Sequence, residues 1–219
     1  MHKSIDRERF ICAKTTLAKP RLVPEIALHL SGDAFSLWED TESLTAHQLP
    51  PPYWAFAWPG GQALARYVLD HPEEFFGRTV LDFGSGSGLV AVAAAKSGAD
   101  CVCAAEIDAL AHAAVALNAK ANSVYIEPIE SDIIGERARW RTVLAGDMCY
   151  ERPLAERLLS WLRALAASGV RVFLGDPGRN YFPGDEGMTR LATYTVPTSL
   201  DLEDRNKRDA SVYRLDPAA

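Results

Sequence analysis

Three glycines at alternate positions close the run Val80-Leu81-Asp82-Phe83-Gly84-Ser85-Gly86-Ser87-Gly88. A carboxylate, Glu106, follows about 20 residues after the loop, the span that one strand–helix–strand unit imposes. Glycine lets a backbone turn sharply and approach a ligand with no Cβ in the way. Glu106 can accept two hydrogen bonds from a ribose diol. The glycine spacing is not G-x-G-x-x-G, because the third glycine comes one residue early, and Asp82 stands two residues before the first. A carboxylate there suits a cationic ligand and opposes a pyrophosphate. A plain strand-to-helix turn would explain the glycines but not their conjunction with Glu106. The combination points to a nucleoside, and the cationic S-adenosylmethionine fits it better than NAD.

A second constellation is Asp147-Met148-Cys149-Tyr150. A carboxylate can hold an incoming cationic amine, and a tyrosine hydroxyl can help aim its nitrogen. An Asp at a strand end can also simply cap the next helix, but the position of this one favours chemistry. No [N/D]-P-P-[Y/F] string stands here, since Met148 and Cys149 occupy the proline positions. That disfavours adenine, cytosine-like and glutamine acceptors.

These residues need strand ends to hold them. Thr79 to Phe83, Cys101 to Ala105, Val124 to Glu130, Thr142 to Ala145 and Val170 to Leu174 read as short apolar strands, with helical patterns between them. One such helix runs from about Leu89 to Ser97 and closes at Gly98. Another, rich in alanine, closes near Asn122, and a third spans about Leu154 to Ala167. Ala192 to Val196 and Ser211 to Leu215 suit an antiparallel hairpin, with the charged stretch Asp201 to Asp209 as its solvated loop. Buried strands alternating with helices mean an α/β fold with a doubly wound, mostly parallel sheet, whose ligands bind outside the C-terminal strand ends. Ahead of it, Pro24 to Leu30 reads as a short helix, Asp33 to Trp38 as a mixed segment, and Pro50-Pro51-Pro52 as a stiff connector. Residues 1–52 are therefore expected to form an N-terminal helical cap on a domain at 53–219.

The 219 residues carry 23 Lys+Arg against 29 Asp+Glu, a net charge of −6 that gives no footprint for nucleic acid. Cys12, Cys101, Cys103 and Cys149 form no C-x-x-C pair and no zinc spacing with histidine, so no metal is expected. Cys101 and Cys103 alternate in an apolar run, as reduced thiols on a buried strand would. His29, His47, His71 and His112 lack any partner spacing. No run approaches the roughly 18 apolar residues of a membrane span, and the mixed-charge start resembles no signal peptide. A soluble, cytoplasmic monomer is expected.

Val80–Gly88 resembles motif I of the class I, seven-β-strand methyltransferases. Pro24–Leu30, Pro52–Leu64, Gly146–Tyr150 and Gly175-Asp176-Pro177-Gly178-Arg179 extend the likeness to methyltransferase family 16, its protein-lysine branch, and within that to the enzymes acting on the electron transfer flavoprotein beta subunit. The resemblance implies a seven-stranded Rossmann-like sheet. It also implies methyl transfer from S-adenosylmethionine, leaving S-adenosylhomocysteine, to lysines of that subunit, with no metal. Asp147 and Tyr150 would order the acceptor amine. Trp58, Gly84, Ser85, Gly86, Glu106, Ile107 and Asp132 would hold the cofactor, with Ser131 as the alternative to Asp132. Trp54, by cation–π contact, and Arg179 would meet the acceptor, whereas Tyr53 and Phe56 read as a hydrophobic brace for the cap. Animal members carry a mitochondrial targeting extension that has no counterpart here, hence the cytoplasmic expectation. Ribosomal-protein lysines or a small amine such as nicotinamide are the competing acceptors. An NAD-dependent oxidoreductase or a non-catalytic binding protein are the competing classes.

Overall fold

Each central strand is apolar on both sides, so each needs cover on both. The computed structural model describes residues 6–43, 51–199, 203 and 205–217. An N-terminal segment contains α1 (Arg7–Lys14), β1 (Thr16–Ala18), β2 (Leu28–Leu30) and α2 (Ala34–Ser43). The main body then runs α3 (Pro59–Asp70), β3 (Thr79–Phe83), α4 (Leu89–Lys96), β4 (Cys101–Ala105), α5 (Ala109–Ala121), β5 (Glu127–Ile129) and β6 (Thr142–Gly146). It closes with α6 (Arg152–Ala167), β7 (Arg171–Asp176), β8 (Met188–Pro197) and β9 (Lys207–Leu215).

Seven strands form one sheet in the order β5-β4-β3-β6-β7-β9-β8. The first five are parallel; β9 runs antiparallel to both β7 and β8. Period-two alternation splits the side chains between two cores. Val80, Leu144 and Phe173 join α3, α4 and part of α5 on one face. Leu81, Val143 and Val172 join α6 on the other. The strand order reverses between β3 and β6, so a crevice opens there at the C-terminal edge.

The segment Pro24 to Leu30 does not form the helix its first-turn proline suggested. Its backbone hydrogen bonds go elsewhere. β2 pairs antiparallel with β1, the His29 N–H donates to Asn118 Oδ1 at 2.7 Å, and Ala27 exchanges two bonds with the Asn122 side chain. Both asparagines sit on or just beyond α5, and Asn118 Nδ2 also donates to the Ser87 carbonyl at 2.8 Å. One buried side chain thus ties the N-terminal segment to the glycine loop. Pro50 and His47 lie outside the described residues.

Candidate active site

β3 delivers the glycine loop, with Gly84 and Gly86 at φ of +63° and +50°. Both angles lie in the left-handed region that glycine enters without cost. At Gly84 a Cβ would also stand 2.3 Å from Met148 Sδ. β4 delivers Glu106. Its Oε2 accepts the Gly86 N–H at 3.0 Å and its Oε1 the Ile107 N–H at 2.7 Å, with a weaker 3.3 Å contact from Asp108. Oε2 keeps an acceptor position, and the long Asp108 contact can yield another.

A cavity of about 450 Å³ lies between these groups and the aromatic segment before α3. Its wall includes Trp58, Gly84, Ser85, Gly86, Glu106, Ile107, Ser131, Asp132, Asp147, Tyr150 and Arg179. A larger hollow of about 690 Å³ at the opposite edge holds none of these. Several features suit a nucleoside. Ser85 Oγ and Trp54 Nε1, on two residues that line the cavity, are buried and have no hydrogen-bond partner among the described residues. Ile107 is 75% exposed at the rim, an apolar surface on which a purine can pack. Asp132, across the mouth, is held by the Arg157 guanidinium at 2.7 Å, which keeps its carboxyl below the usual range. Substituting Glu106 by Gln should weaken S-adenosylmethionine binding about 10–100-fold, the worth of one or two charge-assisted bonds. Calorimetry on the folded variant measures this, and an unchanged affinity would remove Glu106 from the site.

Asp82 lies in the cavity floor, buried, with Oδ2 accepting the Ala91 N–H of α4 at 2.9 Å. Burial pushes its carboxyl up to about 8, the Glu106 charge adding to the shift and the Ala91 bond opposing it. Near pH 7 it is therefore largely neutral, and a bound cation favours its ionised form. Affinity for a cationic ligand should rise as pH increases from 6 to 9 and lose that slope in Asp82→Asn. Binding isotherms across that range test this, and equal slopes in both proteins would contradict it.

β6 delivers Asp147, whose φ of +58° is unusual for a non-glycine residue. Three contacts hold it there. Its N–H donates to the Gly175 carbonyl at 2.9 Å, and its Oδ2 accepts the Gly61 N–H at 2.9 Å. Its Oδ1 accepts Arg179 Nε at 2.9 Å and Nη2 at 2.6 Å. Gly61 lies in the first turn of α3, so its bond to Oδ2 sets the carboxylate at that helix's N-terminus, where the dipole favours it. Burial raises the Asp147 carboxyl, and the Arg179 charge and the Gly61 bond pull against it. Arg179 is shared with Glu203 at 2.6 Å and also sits 5.6 Å over the Trp58 ring. Glu203 in turn accepts from Arg208 at 2.6 Å.

Tyr150 stands at the mouth with its ring 5.3 Å from that of Tyr53, which in turn meets Trp58 at 5.8 Å. Burial, with the nearby Tyr53 and Glu106 adding, pushes the Tyr150 hydroxyl up to about 12, so it stays protonated at neutral pH.

Residues 63–139, from within α3 to just before β6, match the family model of the ribosomal protein L11 methyltransferase (PrmA). A zebrafish (Danio rerio) electron transfer flavoprotein beta subunit lysine methyltransferase is 40% identical over 95% of this chain and 83% of its own. The chain belongs to that methyltransferase family. The human relative of the same name is 37% identical over 90% of this chain and 76% of its own. The magnesium protoporphyrin IX methyltransferase of Synechocystis PCC 6803, solved with bound SAH, superposes with a TM-score of 0.55. At 19% identity over 83% of this chain and 93% of that one, it supports the fold alone. The oxidoreductase and non-catalytic readings fall away.

In this lysine methyltransferase family member, two aromatic positions differ from the sequence reading. Trp54 is 1% exposed and packs with Ile11, Leu37 and Ala114, so its ring is not presented at the surface to an arriving lysine. Tyr53, read as a brace, is instead half-exposed and lines the mouth; Phe56 is buried as read. Glu203 falls in the stretch read as solvated, yet it is buried between two arginines. His112, passed over, bonds the Glu106 carbonyl at 2.7 Å from α5.

Proposed function

We propose that this chain is an S-adenosylmethionine-dependent methyltransferase acting on lysine side chains of an electron transfer flavoprotein beta subunit. The observation that carries the acceptor half is Asp147, a buried carboxylate at the foot of an aromatic mouth, with family membership carrying the reaction class. S-adenosylmethionine, when bound, supplies an electrophilic methyl on a cationic sulfur; Glu106, Ile107, Asp132, Trp58 and the glycine loop hold it.

Acceptance of the lysine is the work of the chain's own residues. Tyr53 and Tyr150 line the mouth, where an approaching ammonium can gain about 0.5–2 kcal/mol by cation–π attraction. Asp147 spends three of its roughly four acceptor positions on Gly61 and Arg179, leaving one for the amine. Arg179 does not repel the incoming cation outright, because Glu203 shares its charge. A lysine ammonium, near 10.4 in water, must lose a proton before its lone pair can attack. Asp147 favours the charged form and desolvation in the mouth opposes it, and the proton leaves to solvent before the attack. The protonated Tyr150 hydroxyl then aims the nitrogen and does not act as the base.

The L11 methyltransferase family model matches only as far as residue 139, before Asp147, and so carries no argument about the acceptor. Labelled methyl from S-adenosylmethionine, added to a lysate of cells lacking this protein, tests the reading. One acid-stable protein band at the flavoprotein beta subunit, absent with Asp147→Ala, is expected. Label in small molecules or nucleic acid would overturn the lysine acceptor while keeping the methyltransferase.

A further inference from the structure

Two cysteines and a glutamate converge outside the cavity, at the β4–β5 edge of the sheet. Cys101 and Cys103 alternate along β4, so both thiols stand on one face. Glu127 on the edge strand β5 is the register partner of Cys103. Its Oε2 lies 3.8 Å from Cys101 Sγ and 3.7 Å from Cys103 Sγ. All three atoms fall within 4.8 Å of one another. A tetrahedral zinc, with Zn–S about 2.3 Å and Zn–O about 2.1 Å, needs sulfur–oxygen edges of about 3.6 Å. The two sulfur–oxygen separations, 3.8 and 3.7 Å, are close to that edge, and the two sulfurs lie within 4.8 Å of each other.

We propose that Cys101, Cys103 and Glu127 bind a thiophilic divalent cation of the zinc type, with water in the fourth position. Cys103 is buried, Cys101 half-buried and Glu127 exposed, so the ion enters from the sheet edge and its open position faces solvent. Metal–sulfur bonds replace the two S–H bonds, and both protons leave to water. The metal staples a three-residue edge strand to β4, the strand that leads into Glu106. Sequence spacing could not show this set, because the third ligand comes across strands.

The full-length protein, reduced and freed of metal by chelation, is titrated with Cd²⁺ and followed by the ultraviolet thiolate-to-cadmium band. The band is expected to saturate at one ion per chain, with a rise in Tm. Cys101→Ser and Glu127→Gln, neither at a buried position, are each expected to weaken binding at least about tenfold with circular dichroism unchanged. Cys12 and Cys149 remain in both variants. Affinity undiminished in either variant, or no band at one equivalent, would overturn the site. The readout does not involve methyl transfer, so its failure is distinct from a failure of the lysine-methyltransferase reading.

Discussion

Asp147→Asn is expected to lower kcat for methyl transfer by about 10²-fold, the cost of losing the group that holds the acceptor amine in line. S-adenosylmethionine affinity should stay within a few-fold, because none of the glycine-loop or Glu106 contacts changes. Asparagine tolerates the left-handed backbone that Asp147 adopts, so the variant keeps the loop's shape. It lacks the charge that holds an ammonium, and its NH₂ cannot accept from Gly61 or Arg179. Arg179 then leans on Glu203 alone. Single-turnover transfer alongside calorimetric cofactor binding separates the two effects. Parallel loss of both would mean that Asp147 props the fold and takes no part in the acceptor step.

Gly175→Ala should cost about 3 kcal/mol, the upper end for overpacking, because backbone blocks the new methyl. A Cβ there would stand 2.1 Å from the Gly60 carbonyl oxygen and 2.8 Å from Leu64 Cβ. The contact is reciprocal: a Cβ on Gly60 would meet the Gly175 oxygen at 2.3 Å and Asp147 Oδ2 at 2.7 Å. Glycine on both sides lets the first turn of α3 press onto the ends of β6 and β7, which is how the Gly61 N–H reaches Asp147. For a chain of this size the loss corresponds to roughly 6–12 °C in Tm. Thermal unfolding by circular dichroism reads it directly. A variant that melts with the wild type would show that α3 can withdraw without penalty, and its activity would then report the Gly61 bond alone.

The strand ends were legible because an apolar run followed by a glycine or a carboxylate has few other readings in an α/β chain. Glu106, Asp132 and Asp147 each follow a strand, as their positions implied. What stayed hidden depends on contacts between distant segments. Pro24 to Leu30 has a helix-starting proline, but Asn118 and Asn122, some ninety residues away along the chain, claim its backbone groups. Glu203 sits in a run dense in charge, and only the fold shows that it meets Arg179 and Arg208 while its neighbours along the chain do not explain it. Trp54 and Tyr53 are adjacent, and the turn they share decides which ring is buried and which lines the mouth. Nothing in the residue types distinguishes them.

The most direct test of the account uses purified electron transfer flavoprotein from cells lacking this enzyme, incubated with the enzyme and S-adenosylmethionine and read by intact-mass and peptide spectrometry. The expected result is the addition of one or more methyl groups confined to lysines of the beta subunit, absent with Asp147→Asn. An unmodified flavoprotein, under conditions where the same preparation binds S-adenosylmethionine and methylates another lysate component, would contradict the assigned acceptor.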